Sequence, residues 1–136
     1  MEIKDLIGPL KKLAKVPQAK LGGVACFFIK NGSIISSAIN HNPTGGPMEE
    51  IVDGKLVALP EVLHAEVAAI QKAKENKVDL AGATLLATTA PCMKCACAVS
   101  KTKISELYYL YDWWDKATLD VLRKVGIKVK KLGEEK

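Results

Sequence analysis

ATLLATTAPCMKCACAVS, residues 83–100, passes from an apolar run with β-branched residues into a Pro-Cys-x-x-Cys motif, and its reading decides the fold. The run ATLLATT predicts a strand that ends just before Pro91, and a helix follows from Cys92. On the C-terminal side, ELYYLY (106–111) predicts another strand. WWDKATLDVLRKVG predicts a loop and a helix stopped by Gly126, and IKVKKL a last strand. On the N-terminal side, the residues from Glu61 to about Asn76 carry Val62, Val67, Ile70 and Ala73 at helical spacing. GGVACFFIK and SIISSAI flank Asn31-Gly32 and predict an antiparallel hairpin. Ahead of it, IKDLIGPLKKLAKV predicts a helix that Gly8-Pro9 bends or delays and that ends near Pro17. Residues 40–60 are rich in Pro, Gly and Asn and predict a long binding loop, with a small excursion at Asp53-Gly54. Strands separated by helices need crossovers, which make parallel neighbours. The expected fold is therefore α/β, with a five-stranded mixed sheet and helices on both faces.

The chain has 136 residues, the size of one ordinary domain able to bury a core without staples, so a single domain over 1–136 is expected. Hydrophobic residues at 49% and charged residues at 26% exclude a disordered or fibrous composition. No apolar run is long enough to cross a bilayer, and the start MEIKDLIGPLKKLAK is amphipathic where a signal peptide carries an apolar stretch. Of four cysteines, Cys92, Cys95 and Cys97 crowd together, which fits a reduced, cytoplasmic setting and metal binding better than disulfides. The net charge of +5 favours anionic partners such as a phosphorylated metabolite. The lysines are scattered and form no stripe, so a nucleic-acid or membrane partner is not expected.

The predicted topology brings two polar clusters together. Cys92 and Cys95 lie three apart at a helix start, hence on one face, where free backbone N–H groups and the helix dipole favour thiolates. His64 lies in the opening turn of the preceding helix. Two thiolates and one imidazole supply three ligands of a tetrahedral Zn2+, with the fourth position left to water, as in a catalytic site. Glu66, two residues from His64, is placed to act on that water. Zinc lowers the water's pKa towards ~7, and the carboxylate can carry its proton to a ring nitrogen and then to a leaving amine. His64-Ala65-Glu66 followed by Pro91-Cys92-x-x-Cys95 is the signature of the zinc nucleobase deaminases, with hydroxide attacking C4 of cytosine or C6 of adenine. A Cys-x-x-Cys alone also suits a redox pair or half of a zinc ribbon, but a ribbon needs a second pair. Cys26 and Cys97 are read as buried small residues, Cys97 inward on its helix. His41 reads as a surface loop residue outside the metal set. Of Trp113-Trp114, one could stack on a base, while a core or subunit contact suits the other equally.

From about Gly23 to Leu132 the chain resembles the deoxycytidylate (dCMP) deaminases of the cytidine deaminase superfamily. LPEVLHAEVAAI is similar to that family's glutamate-bearing helix, INHNPTGG to its substrate loop at Asn40, Pro43 and Gly45, APCMKCA to its zinc helix, and WWDKATLDVLRKVGI to its tail at Asp115, Leu119 and Gly126. The resemblance implies a three-layer α/β/α cytidine-deaminase-like fold. It implies hydrolysis of dCMP to dUMP, the supply step for thymidylate synthesis, by a homo-oligomer, often a hexamer, sometimes controlled by dCTP and dTTP. It also implies that Asn40 holds the sugar, that the Ala65 backbone meets the pyrimidine edge, and that Trp113 occupies a substrate-side aromatic position. This chain departs from the family's Gly-Tyr-Asn-Gly at Ala38-Ile39-Asn40-His41 and lacks arginines before the hairpin, with Lys20 nearby. Those departures bear on phosphate recognition and nucleotide control, and leave the zinc chemistry intact. Three other readings share the motif: a tRNA adenosine deaminase, a deaminase of another cytosine nucleotide or nucleoside, and an inactive deaminase-like binding domain. Glu66, which a structural zinc site would not need, weighs against the last.

Overall fold

The structure, a computed structural model, describes residues 3–15, 24–41, 49–58, 63–111 and 117–132. A short 3-10 turn (Ile3–Leu6) leads into α1 (Ile7–Leu13), so the first helix stops at Leu13 rather than near Pro17. Pro9 sits in the first turn of α1, where its missing N–H would have had no partner in any case. β1 (Ala25–Lys30) and β2 (Ser33–Ile39) form the expected hairpin. Its turn, Asn31-Gly32, has φ of 54° and 77°, the doubly left-handed pair that two-residue hairpins favour.

Residues 49–58, expected to be loop, instead form a second hairpin, β3 (Glu49–Val52) and β4 (Lys55–Ala58), standing as its own two-stranded sheet. Asp53-Gly54 turns it with φ of 51° and 77°. After it come α2 (Ala65–Glu75), β5 (Thr84–Thr89), α3 (Met93–Ser100), β6 (Glu106–Tyr111), α4 (Ala117–Lys124) and β7 (Lys128–Lys131). The main sheet runs β2-β1-β5-β6-β7, with β1 antiparallel to β2 and β5, and with β5, β6 and β7 parallel. This is the expected five-stranded mixed sheet.

Strand alternation sorts the core into two layers. Cys26 and Phe28 of β1, Leu85 and Ala87 of β5, and Leu107 and Tyr109 of β6 face α2, α3 and α4 through Ala69, Val99 and Leu122. The intervening residues Ala25, Phe27, Leu86 and Leu110 face the other way and pack on Leu6 and Leu10 at the N-terminal helix. The result is an α/β/α sandwich with one helix on one face and three on the other. Parallel strands buried on both faces read as continuous apolar runs, which is how β5 and β6 appear in the sequence. Among the described residues, no helix is long and apolar enough to cross a membrane.

Candidate active site

β5 and β6 run parallel and end together, tied by the Ala90 N–H on the Tyr111 carbonyl at 2.9 Å. Ligands of open α/β sheets gather at such carboxyl ends. Just past β5, buried Pro91 turns the chain into α3. Cys92 is the N-cap of α3 in an extended conformation, and its carbonyl accepts the Ala96 N–H at 2.8 Å. His64 stands in the same position on α2: an extended N-cap whose carbonyl takes the Ala68 N–H at 2.9 Å. The sequence suggested that His64 lies inside the first helical turn. Instead α2, expected from Glu61, starts at Ala65, because Leu63 is held in an antiparallel bridge to His41, with N–H···O distances of 3.0 and 2.7 Å.

Neither side chain makes a helix-capping hydrogen bond. They turn towards each other, and Cys92 Sγ lies 3.7 Å from His64 Nδ1 although the residues are 28 apart in sequence. With Cys95, they place one nitrogen and two sulfurs within 4.8 Å of one another, the only such group of three or more potential ligands among the described residues. A tetrahedral zinc with Zn–S near 2.3 Å and Zn–N near 2.0 Å has N···S edges of about 3.6 Å, close to the observed His64–Cys92 separation. The donor set therefore fits zinc. Its softness, two thiolates with an imidazole, selects zinc over the hard cations.

The side chains of the site polarise one another strongly. A hydrogen bond from the Cys95 thiol, joined by the His64 ring, pulls the Cys92 thiol down to about 4. Cys95, giving that bond from a buried position, is pushed far up. His64 is raised, first by its bond to Cys92. Glu66, in the first turn of α2, is 3% exposed, and burial pushes its carboxyl up to about 7, against the pull of the helix-end backbone N–H. A carboxyl tuned to the neutral range beside three metal donors is placed for proton transfer.

Asn40 follows β2, and its Oδ1 accepts the Val24 N–H at 2.8 Å while its own N–H reaches the Val24 carbonyl at 3.1 Å. That clamp fixes the amide and leaves Nδ2 as a donor. Ala65, the first residue of α2, is fully buried. Trp113 and Trp114, together with Pro43, Gly45 and Asp115, lie outside the described residues. Cys26 is buried in β1 as expected, whereas Cys97 is exposed and not inward: two positions on from Cys95 is about 200° around a helix, the opposite face. The metal group among the described residues does not include His41. Its bridge to Leu63, one residue before His64, pairs backbone across more than twenty residues of chain and leaves no trace in the sequence. A cavity of about 410 Å³ opens at the far ends of α2 and α3, lined by Lys74, Leu80, Lys101 and Thr102 among others, and none of the metal donors lines it.

Residues 6–111, most of the chain, match the family model described as the cytidine and deoxycytidylate deaminase zinc-binding region. The chain belongs to this family. Its zinc-binding region contains His64, Cys92 and Cys95 together, so zinc is the metal that this donor set serves. Among curated relatives, the deoxycytidylate deaminases of Enterobacteria phages T2 and T4 are each 30% identical over 152 aligned positions. Those alignments cover 78% of this chain and 79% and 77% of the phage proteins. Among solved structures, the dCMP deaminase of cyanophage S-TIM5 in complex with dCMP and dUMP superposes with a TM-score of 0.84 at 28% identity. It covers 97% of this chain and 99% of its own. The deaminase fold expected from the resemblance is the fold observed.

Proposed function

We propose that this protein is a zinc-dependent hydrolytic deaminase that converts dCMP to dUMP, its single deaminase domain spanning 1–136. The observation that carries the reading is the buried Glu66 carboxyl set beside the convergent His64, Cys92 and Cys95 donors at the ends of β5 and β6. The named activity of the T2 and T4 relatives and the nucleotides bound by the S-TIM5 enzyme support the choice of dCMP.

His64, Cys92 and Cys95 would hold the zinc, which when bound supplies the Lewis acidity that makes a water nucleophilic at neutral pH. Glu66 takes the proton of that water on its carboxylate and gives it to the ring nitrogen next to C4. It then carries the second proton to the leaving amine. Water adds at C4, ammonia leaves, and the oxygen stays as the carbonyl of the uracil product. Asn40, fastened by Val24, would offer Nδ2 to a sugar hydroxyl, and the Ala65 backbone would meet the pyrimidine edge. Trp113 would stand on the substrate side. Met93 and Tyr111, exposed apolar residues that flank this end of the sheet, suit a flat base.

Homo-oligomeric assembly, a hexamer included, and control by dCTP and dTTP belong to the same proposal. Molar mass in solution and rate measurements with added dCTP or dTTP test them. The decisive experiment measures uracil-product formation by zinc-replete protein from dCMP, dCTP, deoxycytidine and cytidine in parallel, with Glu66→Gln as control. Turnover of dCMP well above the rest, lost in the variant, is the expected result. Preference for another substrate would move the specificity, and turnover by the variant at the parent's rate would remove Glu66 from the chemistry.

A further inference from the structure

Two residues that the deamination chemistry does not use, His41 and Lys72, meet at the free edge of the main sheet. β2 is an edge strand, and in an antiparallel ladder alternate residues turn their backbone groups to the partner and to the outside. Asn40 turns inward, its N–H on Val24, so Ile39 and Ser37 turn outward. Both outward carbonyls are already taken. Lys72 Nζ, reaching across from α2, donates to the Ser37 carbonyl at 2.6 Å, and His41 Nδ1 lies 3.1 Å from the Ile39 carbonyl. A carbonyl accepts only, so the imidazole proton sits on Nδ1 and Nε2 remains.

Beside these groups is a cavity of about 220 Å³ lined by Leu13, Ser37, Ala38, Ile39, His41 and Lys72. Its volume is several times the ~30 Å³ share of one liquid water. With the two carbonyls occupied, what this wall still offers is mostly donors: the remaining ammonium protons of Lys72, the outward N–H groups of the strand and the Ser37 hydroxyl, with the His41 ring beside them. Among the described residues, no carboxylate lines it. Such a wall selects against cations and suits a compact oxyanion. Location narrows the class further. His41 is bridged to Leu63, the neighbour of His64, so one lining residue of the cavity is tied to the end of α2 that carries a metal donor. The chain also lacks arginines before the hairpin, and Lys72 is a cationic group unclaimed by the zinc chemistry.

We propose that this edge cavity binds a phosphate monoester through Lys72 and Ser37, with His41 forming its wall on the metal side. The phosphate has two sources: the 5′-phosphate of the nucleotide whose base occupies the metal site, or a separate phosphorylated molecule. Only the first rests on the deaminase reading.

The test uses the zinc-loaded full chain, with Lys72→Met, Lys72→Arg and His41→Gln. Calorimetry measures binding of inorganic phosphate, and turnover gives kcat/KM for dCMP and for deoxycytidine. Phosphate binding weakened about tenfold or more in Lys72→Met and retained in Lys72→Arg is the expected result, the scale of one charge-assisted hydrogen bond. If the preference for dCMP over deoxycytidine falls by the same factor, the substrate supplies the phosphate. If that preference holds while phosphate binding is lost, a separate ligand does. His41→Gln reports on the same wall should Lys72→Met fail to fold, and zinc content monitors folding in each variant. The proposal is overturned if the parent binds no inorganic phosphate and the preference stays unchanged in Lys72→Met and His41→Gln, or if every variant binds phosphate as the parent does. Absence of turnover on all substrates would sink the deaminase reading alone, because phosphate binding is read without it.

Discussion

The two faces of the main sheet are built from different materials. On one face, Leu6 and Leu10 meet Phe27, Leu86 and Leu110, large side chains that fill space under one short helix. On the other, α2 presents Ala65, Ala68, Ala69 and Ala73 to the sheet, all but fully buried. Small residues let the α2 backbone sit close, which leaves room for the starts of α2 and α3 to converge past the end of β5. The packing under α1 stabilises, and the alanine surface of α2 sets the geometry on which the site depends. Changes on the first should therefore move stability with little effect on chemistry, and changes at the helix starts of the second should do the reverse.

The sharpest break comes from Cys92→Ala, which removes one of three donors. Zinc should no longer bind stoichiometrically and deamination should fall to background, read by metal analysis and product formation. Glu66→Gln comes next. Zinc should be retained while kcat drops by about 10²–10⁴, the span for losing a positioned proton carrier. On the opposite face, Leu10→Ala should cost roughly 2–5 kcal/mol in denaturant unfolding yet leave the kcat of the folded enzyme near the parent's. A kcat that fell with stability would collapse the distinction between the faces.

A fourth test concerns the metal-free protein. The Glu66 carboxyl moves from an ordinary 4.5 to about 7 on folding, so the fold favours its neutral form. Below pH 4.5 the carboxyl is protonated in both states and costs nothing. Between 4.5 and 7 the unfolded chain releases the proton first, and the folded state loses stability as pH rises, up to about 3 kcal/mol. Metal-free Glu66→Gln should therefore gain on metal-free parent by about that amount between pH 4 and pH 8. A constant difference across that range would mean that the carboxyl is solvated. The smallest effect belongs to Cys97→Ser, which should leave zinc content and turnover unchanged because that thiol faces solvent.

Much of this contrast was legible in the sequence. Cys92 and Cys95, three apart after a strand, had to share a face, and Asn31-Gly32 between two apolar runs had to turn a hairpin. What escaped depends on partners distant in the chain. The helical spacing of Val62, Val67 and Ile70 extends α2 too early, since nothing local shows that Leu63 pairs with His41. The β3–β4 hairpin carried its signal in Asp53-Gly54, but the surrounding proline and glycine masked strands of four residues each. Cys97 was misplaced although its spacing from Cys95 held the answer. The clamp of Asn40 on Val24 is set by the β1–β2 register and is invisible in a motif.

The capped carbonyls of β2 bear on how copies of this chain can meet. An exposed edge strand is a template on which another chain can continue the ladder, and both ends of this sheet are guarded against it. At β2, Lys72 and His41 already occupy the Ser37 and Ile39 carbonyls, two of the acceptors that an incoming strand would use. At β7, exposed Lys128 and Lys130 put like charge on any second copy that approached. Both outer strands of the five-stranded sheet therefore resist extension, and contacts between copies made through helices and loops would part and rejoin without disturbing the ladder that holds the two helix starts together.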